Sequence, residues 1–426
     1  MKKYIEPPLG GLAYLYGSNA DASVSSRFVA TLTMQLRVPY LEQALNEAMS
    51  RFPHLSVGLE EVDGELMFVP LEAPVKVYDA SDKMQPYQLG SEELNGYLFK
   101  VSVAHRSVYF DFSRALVDEQ GLIAFVKSVL FRYLEICGYP VSNDGTVKEL
   151  SDQYFSAEGL DPLPRLDDFA SSRPVWYMDA KAVTSPGEPS ETEEVVQIRI
   201  PQSKLKGDKV QLVNIPVTYL APMFSHSVHQ MLADQIQPGE YVVASVQINL
   251  RPYIPSASMR PYTTPISLAY NRNMNDYPFN TVLMSQKKLL EAQLKNDTLV
   301  YSAQRKISAI DKAFSSCRTL NDRRQSAAAL LAEVSSRSTY DVCRIGNLIL
   351  PETLQRYVTE FYPVIPSGRY MFSLTVVNYR GDVIVTVCGK NDVRKVCGRF
   401  VDLLNGNDID SFIADEYTFI PMDNKL

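Results

Sequence analysis

The sequence predicts an α+β protein of two lobes, and three observations carry that reading. Up to Gly138 the predicted elements run strand, helix, hairpin, hairpin, helix, which is not the alternation of a βαβ chain. A long connection rich in Pro, Ser, Asp and Glu follows, from Tyr139 to about Glu194. Beyond it a second set of strands and helices begins. At 426 residues the chain has room for a two-lobed body.

Arg27 to Val38 alternates, with Phe28, Ala30, Leu32, Met34 and Leu36 on one face and Thr31, Thr33, Gln35 and Arg37 on the other, so a half-buried strand is expected. Pro39 is expected to stop it. Leu41, Ala44, Leu45, Ala48, Met49 and Phe52 then recur at helical spacing, and Pro53 closes the helix. Leu55 to Phe68 reads as a hairpin turning at Asp63-Gly64. Leu98 to Ala104 and Val108 to Phe112 read as a second, turning at His105-Arg106-Ser107. Leu122, Phe125, Val126, Val129, Leu130, Tyr133 and Leu134 make the stripe of a long helix ending near Cys137-Gly138.

A connection as long as 139–194 is unusual within one compact domain, so it reads as the crossover between lobes. Order is expected around Trp176 and Tyr177, and mobility near Thr184 to Glu193. The expected boundaries are therefore 1–175 for the first lobe and 195–426 for the second. In the second, strands are expected at Val195 to Ile200 and Tyr241 to Leu250, and helices at Leu220 to Ile236 and Phe279 to Leu294. A helical region is expected between Ser302 and Ser338. Met371 to Val377 and Val383 to Val387 form a hairpin, and Val393 to Leu404 the last helix.

Net charge −7 argues against nucleic acid or an anionic membrane as the main partner. No segment has the apolar length of a transmembrane helix, and the N-terminus lacks the apolar core of a signal peptide. Five scattered cysteines read as small buried hydrophobes in a reducing compartment, so a cytoplasmic protein is expected. Gly-rich phosphate loops, GxSxG, HExxH and CxxC are absent from the sequence.

The stretch from Phe110 to Gly121, where a strand gives way to a helix, resembles the active-site junction of the chloramphenicol acetyltransferase-like superfamily, which includes peptide-synthetase condensation domains and alcohol acetyltransferases. There the junction reads His-His-x-x-x-Asp-Gly. Aligned on Asp118, Ser113 and Arg114 stand at the two histidines and Glu119 at the glycine. Other segments resemble the alcohol acetyltransferase-like branch in order and spacing: Arg51-Phe52-Pro53-His54, Gln247 to Ser256 (with Asn249-Leu250-Arg251-Pro252), Met259-Arg260, and the hairpin from Met371 to Val387.

The resemblance implies a two-lobed fold, each lobe an open mixed β-sheet flanked by helices. It also implies a tunnel between lobes where an acyl-CoA or carrier-bound thioester meets a small-molecule alcohol or amine, with a carrier protein as a further partner and no cofactor or metal. In active relatives the second histidine is the base and the aspartate is structural, paired with an arginine; here Asp118 is that aspartate, Arg251 is the candidate partner, and Asn249 is a further structural residue of the framework. Glu119 would narrow the donor's path, and Tyr253 and His226 are candidates for the tunnel lining.

An arginine cannot serve as the base, because it stays protonated. Arg114 therefore reads either as a tunnel cation for a carboxylate, phosphate or oxyanion, or as a structural ion pair. Ser113 reads as a helix cap or a hydrogen-bond donor. His226 and His229 are three apart on a predicted helix, half of a metal site or plain packing. Three functions stay open: an acyltransferase with a replaced base, an enzyme using the tunnel for cyclisation, elimination or isomerisation, and a pseudoenzyme that binds a ligand or partner.

Overall fold

The computed structural model describes residues 3–17, 24–81, 88–174, 180–184, 192–214 and 216–424. The order expected around Trp176 and Tyr177, and the mobility over 185–191, lie outside them. In the first half the strands are β1 (Ser25–Leu32), β2 (Val57–Val62), β3 (Glu65–Pro70), β4 (Val77–Asp79), β5 (Gln88–Leu89), β6 (Phe99–Ala104) and β7 (Ser107–Ser113). The helices there are α1 (Leu12–Tyr16), α2 (Val38–Met49) and α3 (Glu119–Ile136). The second half holds β8 (Lys181–Ala182), β9 (Glu193–Pro201), β10 (Glu240–Asn249), β11 (Thr263–Tyr270), β12 (Tyr340–Asn347), β13 (Val358–Val364), β14 (Phe372–Tyr379), β15 (Asp382–Gly389), β16 (Phe412–Phe419) and β17 (Asp423–Asn424). Its helices are α4 (Gln211–Asn214), α5 (Pro216–Met231), α6 (Phe279–Gln293), α7 (Asn296–Phe314), α8 (Leu320–Ser336), α9 (Glu352–Gln355) and α10 (Val393–Gly406).

Two large sheets organise these elements. The first runs β13-β1-β7-β6-β4 and the second β11-β10-β12-β14-β15-β9-β16. Alternation along each strand gives each sheet one apolar and one polar face. In the first, Phe28 pairs with Phe110 and Val101 with Phe110, and this face packs on α2 and α3 with Leu41, Leu45, Phe125 and Val126. The rings of Phe99, Phe112 and Phe125 meet at 4.5–5.9 Å at its centre.

The second sheet turns Val196, Ile198, Ala244, Val342, Leu374 and Val385 toward α5 and α10. Its other face joins the first lobe's core through Val195, Val377, Ile384 and Cys388 and carries a polar stretch beside them. Ser245 lies beside Asp341 and Asp341 beside Ser373 in one row; Gln247, Cys343, Thr375, Thr386 and Gln197 follow one another in the next. This polar face is where chemistry would be placed, because the apolar face is sealed by helices.

Several sequence expectations need correction. The first strand ends at Leu32, not Val38, and Pro39 sits in the first turn of α2, where its missing N–H costs nothing. The helical region from Ser302 to Ser338 is two helices, the second opened by a capping box of Thr319 and Asp322. Strands β11, β12, β13 and β16 were not anticipated. β16 is a mostly exposed edge strand, so its side chains lack an apolar stripe. β13 carries Pro363, which an edge strand tolerates. β13 also departs from a boundary at 195, since it crosses back to pair antiparallel with β1 of the first sheet.

All five cysteines are free, three of them buried. Among the described residues no helix is long and apolar enough to cross a membrane. Truncating Phe125 to alanine empties the centre of the first core and is expected to cost about 3–5 kcal/mol. Urea denaturation checks this, with the midpoint falling while the transition stays cooperative.

Candidate functional site at the strand-helix junction

The junction is built by the chain between β7 and α3. Asp118, not Ser113, caps α3: its Oδ1 accepts the Gly121 N–H at 3.1 Å. Its Oδ2 accepts from Arg251 Nη1 at 2.7 Å and from the Tyr262 N–H at 3.1 Å. One carboxylate thus caps the helix of the first lobe and holds the chain beyond β10 in the second.

Arg251 is fixed on all sides. Nε and Nη2 donate to the Ser258 carbonyl at 2.9 and 2.7 Å, and Nη2 also to the Arg260 carbonyl at 2.9 Å. Asn249 Oδ1 accepts from the Arg251 N–H at 3.1 Å and from its Nη1 at 3.2 Å. Gly121 is required at the crossing, since a Cβ there would lie 2.4 Å from the Met259 carbonyl oxygen. Arg260 adds a second tie, donating to the carbonyls of Gly159 at 3.1 Å and Leu116 at 2.9 Å. Burial lowers its pKa to about 10.

Ser113 is fully buried at the end of β7, and its Oγ accepts from the Ala115 N–H at 3.3 Å. The capping role read from the sequence is therefore corrected: α3 begins later, at Glu119. Arg114 is half-buried, with its guanidinium 4.3 Å from the centre of the Tyr14 ring. Burial alone would weaken its hold on the proton, but Tyr14, Glu119 and Asp341 outweigh burial and keep it a fixed cation.

Around Arg114 the two lobes meet in one ionisable cluster. Glu119, the first residue of α3, is raised by burial, with Arg114 opposing. Asp341 on β12 is also raised by burial, against hydrogen bonding from Gln247 and the charge of Arg114. Gln247 Nε2 donates to Asp341 Oδ1 at 2.8 Å. Cys343, Tyr370 and Tyr14 feel the same charges. On α7, Lys306 donates to the Thr263 carbonyl at 3.0 Å, and burial, with repulsion from Arg114, lowers it to about 8. Thr375 completes the polar face: it is 2% exposed and its Oγ1 has no hydrogen-bond partner.

The other sequence candidates lie elsewhere. His226 Nδ1 is 2.7 Å from the Tyr270 hydroxyl and its Nε2 2.8 Å from Gln230, in a cluster of α5 and β11. Burial lowers both His226 and His229. Among the described residues no group of three or more His, Cys, Asp or Glu could hold a metal. Tyr253 is half-buried and offers its carbonyl to Asn296 at 3.3 Å. His54 is buried against Tyr154 and held neutral by burial, at about 3. Arg51, just before it, makes a two-pronged buried pair with Glu158 at 2.9 and 3.0 Å.

A large cavity of about 1090 Å³ opens on the polar face of the first sheet, between Arg27, Lys100 and Tyr109 and the strands β9 and β16. None of residues 113–119 lines it. The junction and this cavity are separate places. Tyr14, Asp341 and Lys306 were missed from sequence because no motif surrounds them and their approach to Arg114 is long-range.

Comparison with solved structures gives the architecture a wider setting. Polyketide synthase associated protein 5 from Mycobacterium tuberculosis superposes with a TM-score of 0.62 at 11% identity, covering 96% of this chain and 98% of that one. TRI101 of F. graminearum, solved with coenzyme A and T-2 mycotoxin, gives 0.58 at 10% identity over 95% and 97%. The starter condensation domain of rhizomide synthetase RzmA gives 0.53 at 11% over 95% and 96%. The chain shares the fold of these three proteins. No family model matches the sequence, and no curated protein matches it. The two-lobed form expected from the sequence is present.

Arg114 is expected to offset the buried carboxyl groups, and Arg114→Met should reveal it. Without the cation, Glu119 and Asp341 hold protons to still higher pH when folded, above their ordinary 4.5 and 3.8. The folded form then binds more protons than the unfolded, so stability falls as pH rises through that window. Urea melts should show the variant losing about 2 kcal/mol at pH 7 and markedly less at pH 4.5.

Proposed function

We propose that this chain is an acyl-thioester-dependent transferase, taking an acyl-CoA or carrier-bound thioester to a small alcohol or amine, with Arg114 standing where a histidine base is expected. The observation that carries this reading is the Arg114 cluster: a fixed cation at the junction, set between carboxyl groups from both lobes, with the Asp118–Arg251 tie intact behind it. Support also comes from TRI101, whose structure holds coenzyme A, and from RzmA, solved in a mutant form with C8-CoA and Leu-SNAC.

In this reading Arg114 does not move protons. It holds negative charge, either the oxyanion that forms when an acceptor attacks a thioester carbonyl or an anionic group of the substrate. Its donors are fixed before the reaction, because Tyr14 packs on the guanidinium and the surrounding groups keep it charged. Positioning of two reactants supplies much of the remaining rate enhancement. Ser113 has no part, being turned into its own loop.

A second reading is a binding protein, favoured by one observation: Tyr14 covers the face of Arg114, and α1 is anchored where a Gly11 Cβ would lie 2.6 Å from the Ala115 carbonyl oxygen. Thiol release decides between them. Purified protein with acetyl-CoA and a panel of alcohols and amines should release CoA thiol with at least one acceptor, and CoA should raise Tm. Arg114→Ala is then expected to lower kcat by about 10²–10³. Thiol release with no acceptor would end the transferase reading, and a Tm rise without turnover would favour the binder.

A further inference from the structure

We infer that Asp341, on β12 of the second lobe, is the catalytic residue that takes the acceptor's proton, in place of a histidine from the first lobe. This rests on the transferase reading above and names the group that performs its proton transfer.

Three observations bring Asp341 forward. It sits on a strand in the middle of the second sheet, paired on both sides by β10 and β14, so its position is rigid. Its side chain is on the sheet's polar face and 4% exposed, with Oδ1 held by Gln247 Nε2 at 2.8 Å. One register step along the same face is Thr375, 2% exposed, whose Oγ1 has no partner. A buried hydroxyl without a partner costs free energy, and a substrate polar group seated beside Asp341 would satisfy it.

The charged and polar groups around Asp341 come from several elements. From the junction and α3 come Arg114 and Glu119; from α1, Tyr14; from the turn before β14, Tyr370; from β12 itself, Cys343; from β10, Ser245 and Gln247. Lys306 of α7 faces the Arg114 and Glu119 side of the cluster. Arg114 is a fixed cation, Lys306, though lowered to about 8, has its Nζ engaged with the Thr263 carbonyl, and the thiol of Cys343 is pushed up by burial. Glu119 is the competing carboxylate. It begins a helix, where the positive dipole end stabilises its charged form, whereas Asp341 is oriented by the side chain of Gln247.

The step balances. The acceptor O–H or N–H gives its proton to the Asp341 carboxylate as its oxygen or nitrogen bonds to the thioester carbonyl carbon. Arg114 holds the oxyanion. The C–S bond then breaks, and the leaving thiolate takes the proton back from the Asp341 carboxyl. A base of this kind works only when ionised, so kcat/KM falls as pH drops through its pKa, and burial places that limb above the ordinary aspartate value of 3.8.

The test uses the full chain with acetyl-CoA and an acceptor that supports thiol release. Asp341→Asn should lower kcat/KM by about 10²–10⁴ and abolish the acidic limb, while CoA still raises Tm as in the unchanged protein. Glu119→Gln should keep the limb and move it to lower pH, since a neighbouring negative charge no longer opposes ionisation. If Asp341→Asn fails to fold, Asp341→Glu takes its place, and a displaced limb supports the assignment while an unmoved limb overturns it. An Asp341→Asn enzyme with the original rate and limb overturns the assignment and leaves the transferase reading standing. Absence of thiol release in the unchanged protein defeats the transferase reading itself, and the assignment with it.

Discussion

Everything at the junction depends on one ion pair, Asp118 with Arg251, at 2.7 Å across the two lobes. Asp118 is a helix cap, an acceptor for the Tyr262 N–H and the counter-charge of a cation whose other donors are used on carbonyls. Removing a buried carboxylate that does three jobs would strand three donors, and a buried cation left alone would cost several kcal/mol. The geometry therefore fixes where α3 begins relative to β10. Gly121 shows how close that approach is, since no Cβ fits against Met259.

With the junction pinned, the polar faces of the sheets acquire meaning. Both sheets hide an apolar face under helices and turn a polar one away from them. On the second sheet that face meets Arg114 and Glu119 through Asp341, so groups from distant parts of the sequence share one electrostatic environment. Burial raises the carboxyl groups of Glu119 and Asp341 while the charge of Arg114 opposes the rise.

Much of the fold was legible in the sequence because periodicity is local. The hairpins at Asp63-Gly64 and His105 turn where expected, with Asp63 and His105 at positive φ, and α3 follows its apolar stripe. The pairing of Asp118 with Arg251 was expected from the family resemblance, and the two groups meet at 2.7 Å. Strand β16 was hidden because an edge strand with mostly exposed side chains carries no apolar alternation, and β13 because it belongs to the other lobe's sheet. Asp341 was hidden for a different reason. Its strand reads as Tyr-Asp-Val-Cys, ordinary alternation, and only the parallel pairing with β10 and β14 turns the aspartate toward Arg114. The helix start was misplaced by five residues' worth of loop, because Ser113 looks like a cap in sequence while Asp118 has the geometry of one.

The dependence of the site on the lobe-spanning pair is tested most directly by a double-mutant cycle on Asp118→Ala and Arg251→Ala, read by urea denaturation. Each single change should cost about 3–5 kcal/mol, since each strands its partner, and the double change should cost little more than the worse single one. Costs that simply add would contradict the account, because the two residues would then act independently and the junction would be held by something else.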